Sequence, residues 1–264
     1  MSEEPTNGKP LIKKAVLICV PAYKMVEPAT TRFVAELCAY TAQLRNDVIV
    51  GVDVLDSFPT ATCKHCHNEG SNYADARNQF VAKALEKGFT HLCMIDSDMD
   101  RSLKQEHSYK MLASLLDADR DIIGPLFMRR SFPFDLLARR YDSSTGLRRP
   151  ITADEAISGK IIDDIQELGT GMMLINCRVL KDMDSPWFAF EIFKGEPLPE
   201  DVNFCRKARQ KGFKISVHTG WHLDHIGPHR YTPQAAIEVQ QYALDKEAQG
   251  ILDELHKEKV AEVV

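Results

Sequence analysis

The sequence predicts an α/β fold in which a mostly parallel central sheet is flanked by helices. Short apolar runs rich in β-branched residues alternate with stretches that have the apolar spacing of a helix. The first run, residues 15–20, contains no polar side chain, which is typical of a strand buried on both faces of a parallel sheet. Because 44% of the 264 residues are apolar, the chain can bury the sizeable core that such a fold needs.

The first half of the chain has the order of two βαβ units. A strand over residues 15–20, ended by Pro21, a helix over 30–44 and a strand over 48–54 form the first unit. After a loop over 57–72, the pattern predicts, in order, a helix over 73–87 closed by Gly88, a strand over 91–95, a helix over 105–116 and a strand over 121–125. This alternation favours a parallel sheet whose strands are joined by helical crossovers.

The second half predicts a smaller antiparallel part. Residues 128–150 carry six arginines, several aromatic residues and turn residues, and a hairpin-like segment over 160–167 leads to the apolar run after Gly169. Further along, the pattern predicts a helix over 201–210 capped near Gly212, a strand over 213–218, a histidine-rich loop and a helix over 233–264.

This organisation divides the chain into three parts: a flexible tail over 1–14, one domain over 15–232 and a C-terminal helical extension over 233–264. Apolar residues of the extension share one stripe, formed by Leu244, Ala248, Ile251 and Leu255. The stripe could pack on the chain's own core, or it could form a homodimer by pairing with a second copy.

Charge and composition exclude some classes of protein. A net charge of -5 gives no overall attraction to nucleic acid or to an anionic membrane, so such contacts would have to be local. The polar N-terminus lacks the apolar core of a signal peptide. The longest apolar run, residues 15–22, is far shorter than the roughly 20 residues of a membrane-spanning helix. Seven cysteines, an odd number, suit a reducing compartment, so we predict a cytoplasmic protein without a membrane span.

Three carboxylates follow the strand over 91–95. On an extended chain, alternation would place Asp96 and Asp98 on the same side, with Asp100 beyond them. Paired carboxylates at the carboxyl end of a strand can bind a hard divalent ion such as Mg²⁺ or Mn²⁺. The alternative is that these aspartates only form a turn or cap a helix.

Several short motifs occur in a fixed order around these aspartates. They are Pro21-Ala22-Tyr23, Ala76-Arg77-Asn78, Asp96-Ser97-Asp98, Gly169-Thr170-Gly171, Glu200-Asp201 and His225-Ile226-Gly227. Over about residues 15–230, this order resembles the family 2-like glycosyltransferases of the GT-A fold, a group that includes phage-encoded enzymes. The resemblance implies a GT-A, Rossmann-like sheet with a smaller antiparallel acceptor-side part.

The resemblance also implies a metal site and a catalytic base. Asp98 would bind Mn²⁺ or Mg²⁺, with Asp96 as a further ligand that also supports the donor sugar or ribose. His225, favoured over the nearby His222, would complete the metal site. Asp201, or its neighbour Glu200, would take the proton from the acceptor hydroxyl in an inverting transfer.

Two alternatives to these roles stay open from the residues alone. An acidic first helical turn can simply complement the helix dipole, which would leave Asp201 and Glu200 without a catalytic role. A retaining mechanism would need no such base.

Further residues are expected to bind the donor. By resemblance, Pro21, Ala22 and Tyr23 would lie at the nucleobase, and Asp53 at the base or ribose. The remaining predicted donor-binding residues are Arg77, which suits the diphosphate because of its fixed fork of donors, and Asn78, Ser97 and Gly171.

Two other clusters have metal- or phosphate-binding residue types. Cys63, Cys66 and His67 could bind zinc, but no second Cys-x-x-Cys pair completes a four-ligand site. The arginines between Arg129 and Arg149 could bind a phosphate-bearing acceptor, including nucleic acid. They could also contact the donor diphosphate or form a solvated loop.

The sequence therefore predicts a metal-dependent enzyme that moves a single sugar from a nucleotide-sugar, with a UDP-sugar favoured, to an acceptor hydroxyl with inversion. No Gln-x-x-Arg-Trp signature of processive synthases is present. One alternative is the same chemistry on a hydroxylated base of phage-type modified DNA. A nucleotidyltransferase is another, although no glycine-rich phosphate loop follows the first strand. The third is a catalytically silent carbohydrate- or partner-binding domain.

Overall fold

The structure is a computed structural model that describes residues 14–22, 25–56, 70–130, 134–142, 144, 147–193 and 195–261. A mixed, mainly parallel sheet forms its centre, with helices on both faces and two small antiparallel sheets beside it. The predicted α/β fold class is therefore confirmed. Most of the predicted tail and the cluster of Cys63, Cys66 and His67 lie outside the described residues.

The secondary structure begins with three strands that alternate with two helices. In chain order the first half contains β1 (Lys14–Ala22), α1 (Pro28–Leu44), β2 (Val48–Asp56), α2 (Gly70–Glu86), β3 (His91–Ile95), β4 (Met99–Arg101), a 3-10 turn (Ser108–Lys110), α3 (Met111–Asp117) and β5 (Ile122–Leu126). The second half contains β6 (Ala138–Tyr141), β7 (Arg148–Pro150), α4 (Ala153–Ile157), β8 (Ile161–Ile165), β9 (Glu167–Leu168), β10 (Met172–Asn176), α5 (Cys177–Asp182), β11 (Glu191–Phe193), β12 (Glu196–Leu198), α6 (Glu200–Gln210), β13 (Ile215–Ile226), β14 (Arg230–Tyr231) and α7 (Pro233–Ala261).

The central sheet has the strand order β14-β13-β5-β10-β3-β1-β2. β1 is parallel to β2 and β3, and β13 is parallel to β5. β10 runs antiparallel between β3 and β5. β4 and β8 also pair with β13, so this long strand joins distant parts of the chain.

Alternation along the strands divides the core into two layers. Leu17 and Cys19 of β1 face the layer that includes Phe80 of α2, whereas Ile18 faces the layer that includes Phe33 of α1. All five side chains are buried. Burial on both faces explains why the β1 sequence is apolar throughout.

Four local predictions were wrong. The helix predicted over 105–116 is a 3-10 turn followed by the short α3. The segment over 160–167 is no hairpin, because β8 pairs with β13 and β9 pairs with β6. The run after Gly169 supplies β10, which lies inside the central sheet rather than in an antiparallel part. The histidine-rich loop is the continuation of β13, which has an irregularity between His218 and His222 and then pairs with β4.

The terminal helix α7 packs on the domain through its first turns, where Ala236 and Ile237 are buried. Leu244 of the predicted stripe is 60% exposed, and the other three stripe side chains lie outside the described ones. Among the helices that the structure describes, none is both long and apolar enough to cross a membrane.

Candidate active site

A cavity of about 420 Å³ lies where β3, α6 and the end of β13 meet. One part of its wall is acidic, with Asp96, Asp98, Glu200 and Asp201. Its basic residues are Arg77, Arg129, Arg130, Arg139 and Arg148. The remaining wall is formed by Tyr73, Ser97, Leu137, Thr170, Pro199, Val202 and His225. The motifs from distant parts of the sequence therefore converge on one concave site.

A tight turn carries the two aspartates. The amide of Met99 donates to the carbonyl of Asp96 at 3.3 Å, and the amide of Asp96 donates to the carbonyl of Gly171 at 3.1 Å. Asp96 and Asp98 therefore do not lie on an extended chain, as the sequence suggested, and their carboxylates have different partners. Asp100 is fully buried and forms an ion pair with Arg230 at 2.9 Å, so it does not line the cavity.

Asp98 lies beside His225 because β4 pairs with the end of β13, where Met99 is opposite His225. The Nε2 atom of His225 is 3.4 Å from Oδ1 of Asp98, and Nη1 of Arg130 is 2.8 Å from Oδ2. Burial alone would raise the pKa of Asp98, but the hydrogen bond and charge of His225 together with Arg130 hold that pKa below its ordinary value. Asp98 is therefore a carboxylate anion at neutral pH.

The pair of Asp98 and His225 has the donor chemistry of a metal site. Nδ1 of His225 is 3.1 Å from the carbonyl oxygen of Met128, to which an Nδ1–H would donate. In the protonated ring Nε2–H donates to Asp98; in the neutral Nδ1–H tautomer that proton is absent, and a cation between Nε2 and the carboxylate oxygen would take its place. In the described part of the chain, no group of three or more His, Cys, Asp or Glu side chains is arranged to hold a metal. The fit is therefore to an ion with two protein ligands and the rest from phosphate and water.

Asp96, the third predicted ligand, also lines the cavity and is bonded to Arg77. Nη2 of Arg77 donates to Oδ1 of Asp96 at 2.7 Å, and Nη1 donates to Oε1 of Glu200. The Arg77 side chain is 3% exposed. Burial alone would lower the pKa of Arg77, but the negative charges of Asp96, Glu200 and Asp201 outweigh it and raise that pKa. Arg77 thus joins the turn after β3 to the start of α6.

Asp201 differs from Glu200 although the two are adjacent. Glu200 is held by Arg77, whereas Oδ1 of Asp201 accepts a hydrogen bond from the amide of Val202 at 2.7 Å. Burial and the charge of Glu200 raise the pKa of Asp201 to about 7, against the opposing effect of Arg77. The N-cap of α6 is Pro199, so Asp201 is not the capping residue. A half-buried carboxylate with this pKa can exchange a proton near neutral pH.

Four of the six arginines between Arg129 and Arg149 divide between the two faces of one hairpin, and Arg129 and Arg130 precede it. β6 and β7 pair so that Tyr141 is opposite Arg148 and Arg140 is opposite Arg149. Arg139 and Arg148 line the cavity. Arg140 and Arg149 are ion-paired with Glu155 and Asp142 away from it. Period-two alternation of the strands explains this division.

No protein-family model and no curated protein sequence matches this chain. Among solved structures it is similar to A197 from STIV, with a TM-score of 0.52 at 13% identity, over 84% of this chain and 91% of that one. At this sequence identity, the similarity shows a related fold and nothing about activity. A putative glucose-1-phosphate thymidylyltransferase from Bacillus anthracis, in complex with a sucrose, superposes with a TM-score of 0.38 at 10% identity, over 86% of this chain and 94% of that one.

Some of the predicted donor-binding residues have partners outside the cavity wall. Asp53 forms an ion pair with Lys83. The side-chain amide of Asn78 exchanges two hydrogen bonds with the backbone of Phe188, at 2.7 and 3.0 Å. The carbonyl of Gly171 positions Asp96. Asn78 and Gly171 therefore hold the framework of the site.

The predicted nucleobase end is described only in part. Pro21 and Ala22 end β1 as buried residues and do not line the cavity, and Tyr23 lies outside the described residues. Ser97 does line the cavity.

The histidines near His225 have other partners. Nε2 of His222 is 3.1 Å from the carbonyl of Thr219, and Nε2 of His218 is 3.5 Å from Oγ of Ser114. Burial lowers the pKa of both. Of the histidines that the structure describes, His225 is the one that lines the cavity.

Sequence reasoning missed Tyr73 and Thr170, and gave Arg130 no separate role. The Tyr73 ring lies 5.7 Å from the Arg77 guanidinium, in a cation–π contact. One signal could have indicated it: Tyr73 and Arg77 are four residues apart and so share a helix face.

Proposed function

We propose that this chain is a metal-dependent glycosyltransferase that moves one sugar from a nucleotide-sugar, with a UDP-sugar favoured, to an acceptor hydroxyl with inversion. One observation carries the proposal. A single cavity holds a metal-type pair, Asp98 and His225, together with a carboxylate, Asp201, whose pKa is raised to about 7. Transfer from a diphosphate donor needs both an electrophilic site for the leaving group and a base for the acceptor.

The leaving group of such a donor is a nucleoside diphosphate. Asp98 and His225 would hold Mn²⁺ or Mg²⁺, which when bound supplies positive charge to the diphosphate as the glycosidic bond breaks. Arg130, 2.8 Å from Asp98, would donate to the same phosphate oxygens. Arg77 keeps Asp96 fixed beside this position, because both of its terminal nitrogens are engaged by carboxylates.

Asp201 would act on the acceptor. The acceptor oxygen forms its bond to the anomeric carbon while the bond from that carbon to the phosphate oxygen breaks, and the hydroxyl proton passes to Asp201. Glu200 is less suited to this role, because its Oε1 is already engaged by Nη1 of the buried Arg77. A single displacement of this kind inverts the anomeric centre.

The first test is a thermal-shift panel of uridine, guanosine, cytidine and thymidine diphosphates and their sugar conjugates, each with and without Mn²⁺. A ligand that binds the native state raises its stability. We expect a metal-dependent shift with one nucleotide, uridine favoured, and its loss in Asp98→Asn. No shift with any member would favour a silent binding domain instead.

A second assay separates binding from transfer. Asp201→Asn should keep the metal-dependent shift with the donor but stop release of free nucleoside diphosphate. Product analysis by mass spectrometry with a nucleoside triphosphate and a sugar phosphate tests the nucleotidyltransferase alternative. Release of pyrophosphate in that mixture would overturn the proposal.

A further inference from the structure

Three arginines of the cavity form a group that the proposed chemistry does not use. Arg139 on β6 and Arg148 on β7 face the cavity, and Arg129 joins them from the segment that follows β5. All three line the same cavity as Asp98 and Asp201. We call this group the arginine trio.

The trio has few negative partners. Nη2 of Arg139 is 3.3 Å from Oδ2 of Asp135, and Nε of Arg148 is 3.1 Å from Oε1 of Glu167. The hydroxyl of Tyr141 donates to that same oxygen of Glu167. Within the described residues, the Arg129 side chain makes no hydrogen bond or ion pair. Three guanidinium groups therefore share two carboxylates, one of which also serves a tyrosine.

Electrostatic repulsion among the three arginines is consistent with their shortage of carboxylate partners. Burial lowers the pKa of Arg139, and the positive charges of Arg129 and Arg148 lower it further, against the opposing charges of Asp135 and Glu167. Like charges gathered in a concave site raise the local concentration of anions. A bound anion would offset the repulsion among the three guanidinium groups and the unfavourable burial of the Arg139 charge.

The trio is separate from the residues assigned to the donor diphosphate. In the part of the chain that the structure describes, none of the three makes a hydrogen bond or ion pair with Asp96, Asp98 or His225. Those residues have their own arginines, because Arg77 is bonded to Asp96 and Arg130 to Asp98. The arginines of the cavity thus fall into two sets with different carboxylate partners.

We propose that Arg129, Arg139 and Arg148 form a second anion site, which binds a phosphate or phosphodiester group of the acceptor while the donor diphosphate occupies the Asp98 side. The inference rests on the proposed function, since it names the class of acceptor. Guanidinium groups suit this ligand because their fixed fork of donors matches two phosphate oxygens.

The test compares Arg129→Gln with Arg149→Gln. Arg129→Gln leaves no carboxylate without its partner, so it should fold. Arg149→Gln removes the same charge from the opposite face of the hairpin, where Arg149 is 62% exposed. Inorganic phosphate is titrated by calorimetry into each protein without donor or metal. We expect about tenfold weaker binding in Arg129→Gln, as for loss of one charge-assisted hydrogen bond, and wild-type binding in Arg149→Gln.

Two further ligands distinguish the sources of the phosphate. A hexose 6-phosphate represents a phosphorylated small acceptor, and a short single-stranded oligodeoxynucleotide represents a nucleic acid. The ligand that binds more weakly to Arg129→Gln but not to Arg149→Gln identifies which kind of acceptor carries the phosphate. If neither binds, or if both variants weaken binding equally, the acceptor site is refuted.

Binding of uridine diphosphate with Mn²⁺ separates this inference from the proposed function. We expect it to be unchanged in Arg129→Gln. Equal weakening of nucleotide and phosphate binding would assign the trio to the donor and overturn the inference. Phosphate binding without any nucleotide binding would refute the proposed transferase and leave the anion site intact.

Discussion

Replacing Asp201 by asparagine should stabilise the fold while it stops transfer. Raising the pKa of this carboxyl from 3.8 to about 7 means that the folded state disfavours its ionisation. Since a tenfold change in acidity corresponds to about 1.4 kcal/mol, the ionised side chain costs the folded state up to about 4 kcal/mol. Asparagine has nearly the same shape, and its oxygen can still accept the hydrogen bond from the amide of Val202.

The sign of the pH dependence follows from linkage. Below about pH 4 Asp201 is protonated in both folded and unfolded chains, so the wild type and Asp201→Asn should be equally stable. Between about pH 4 and 7 the folded wild type takes up a proton that the unfolded chain does not, and its stability falls as the pH rises. The advantage of the variant should therefore grow over this range and stay constant above it.

Urea denaturation of the two proteins at a series of pH values measures this difference. Asp154→Asn, at the first turn of α4 and outside the cavity, is a matched control that should show no such gain. A variant destabilised at every pH would identify Asp201 as a structural residue of α6. A constant difference would show that its pKa is not raised.

Three other substitutions test different parts of the site. Arg77→Met should lower the free energy of unfolding, measured by urea titration, by about 3–5 kcal/mol, because Asp96 and Glu200 would lose a buried partner. Adding Glu200→Gln to this variant should restore part of the lost stability, because it removes one of the two unpaired charges. Gly171→Ala should lower the free energy of unfolding by about 1–3 kcal/mol, since its Cβ would lie 2.6 Å from the Phe127 ring; a Tm equal to wild type in calorimetry would contradict that close contact. His225→Asn should weaken Mn²⁺ binding in the presence of uridine diphosphate by about tenfold or more, whereas His222→Asn should not; equal titration curves would place the ion elsewhere.

Much of the fold could be predicted from the sequence because its strands are buried on both faces. Such strands are continuous apolar runs, and β1 and β3 have this pattern. The long continuation of β13 could not be predicted, since its polar residues are paired by distant elements. His225, for example, has its Nε2 3.4 Å from Oδ1 of Asp98, in the turn after β3. Only tertiary contacts make such a segment a strand.

Prediction of the site from the sequence was limited in the same way, by contacts between distant segments. Sequence order brought Asp98, His225 and Asp201 together as candidates, and one cavity holds all three. Alternation on an extended chain failed for Asp96 because the chain turns there, and that turn depends on a hydrogen bond to Gly171 of another strand. Similarly, composition marked six arginines, but for the four on β6 and β7 only the pairing of these strands decides which of them face the cavity.

The pairing of β4 with the end of β13 also affects how the protein is made. Asp98 and His225 come together only when a late part of the chain returns to an early one. During synthesis, β1, β2 and β3 can associate long before His225 leaves the ribosome, but β5 lacks its neighbour β13 until then. Closure of so long a loop is slow compared with local folding. Nascent and truncated chains should therefore lack the contact between Asp98 and His225, and their open strand edges should make them clients of chaperones.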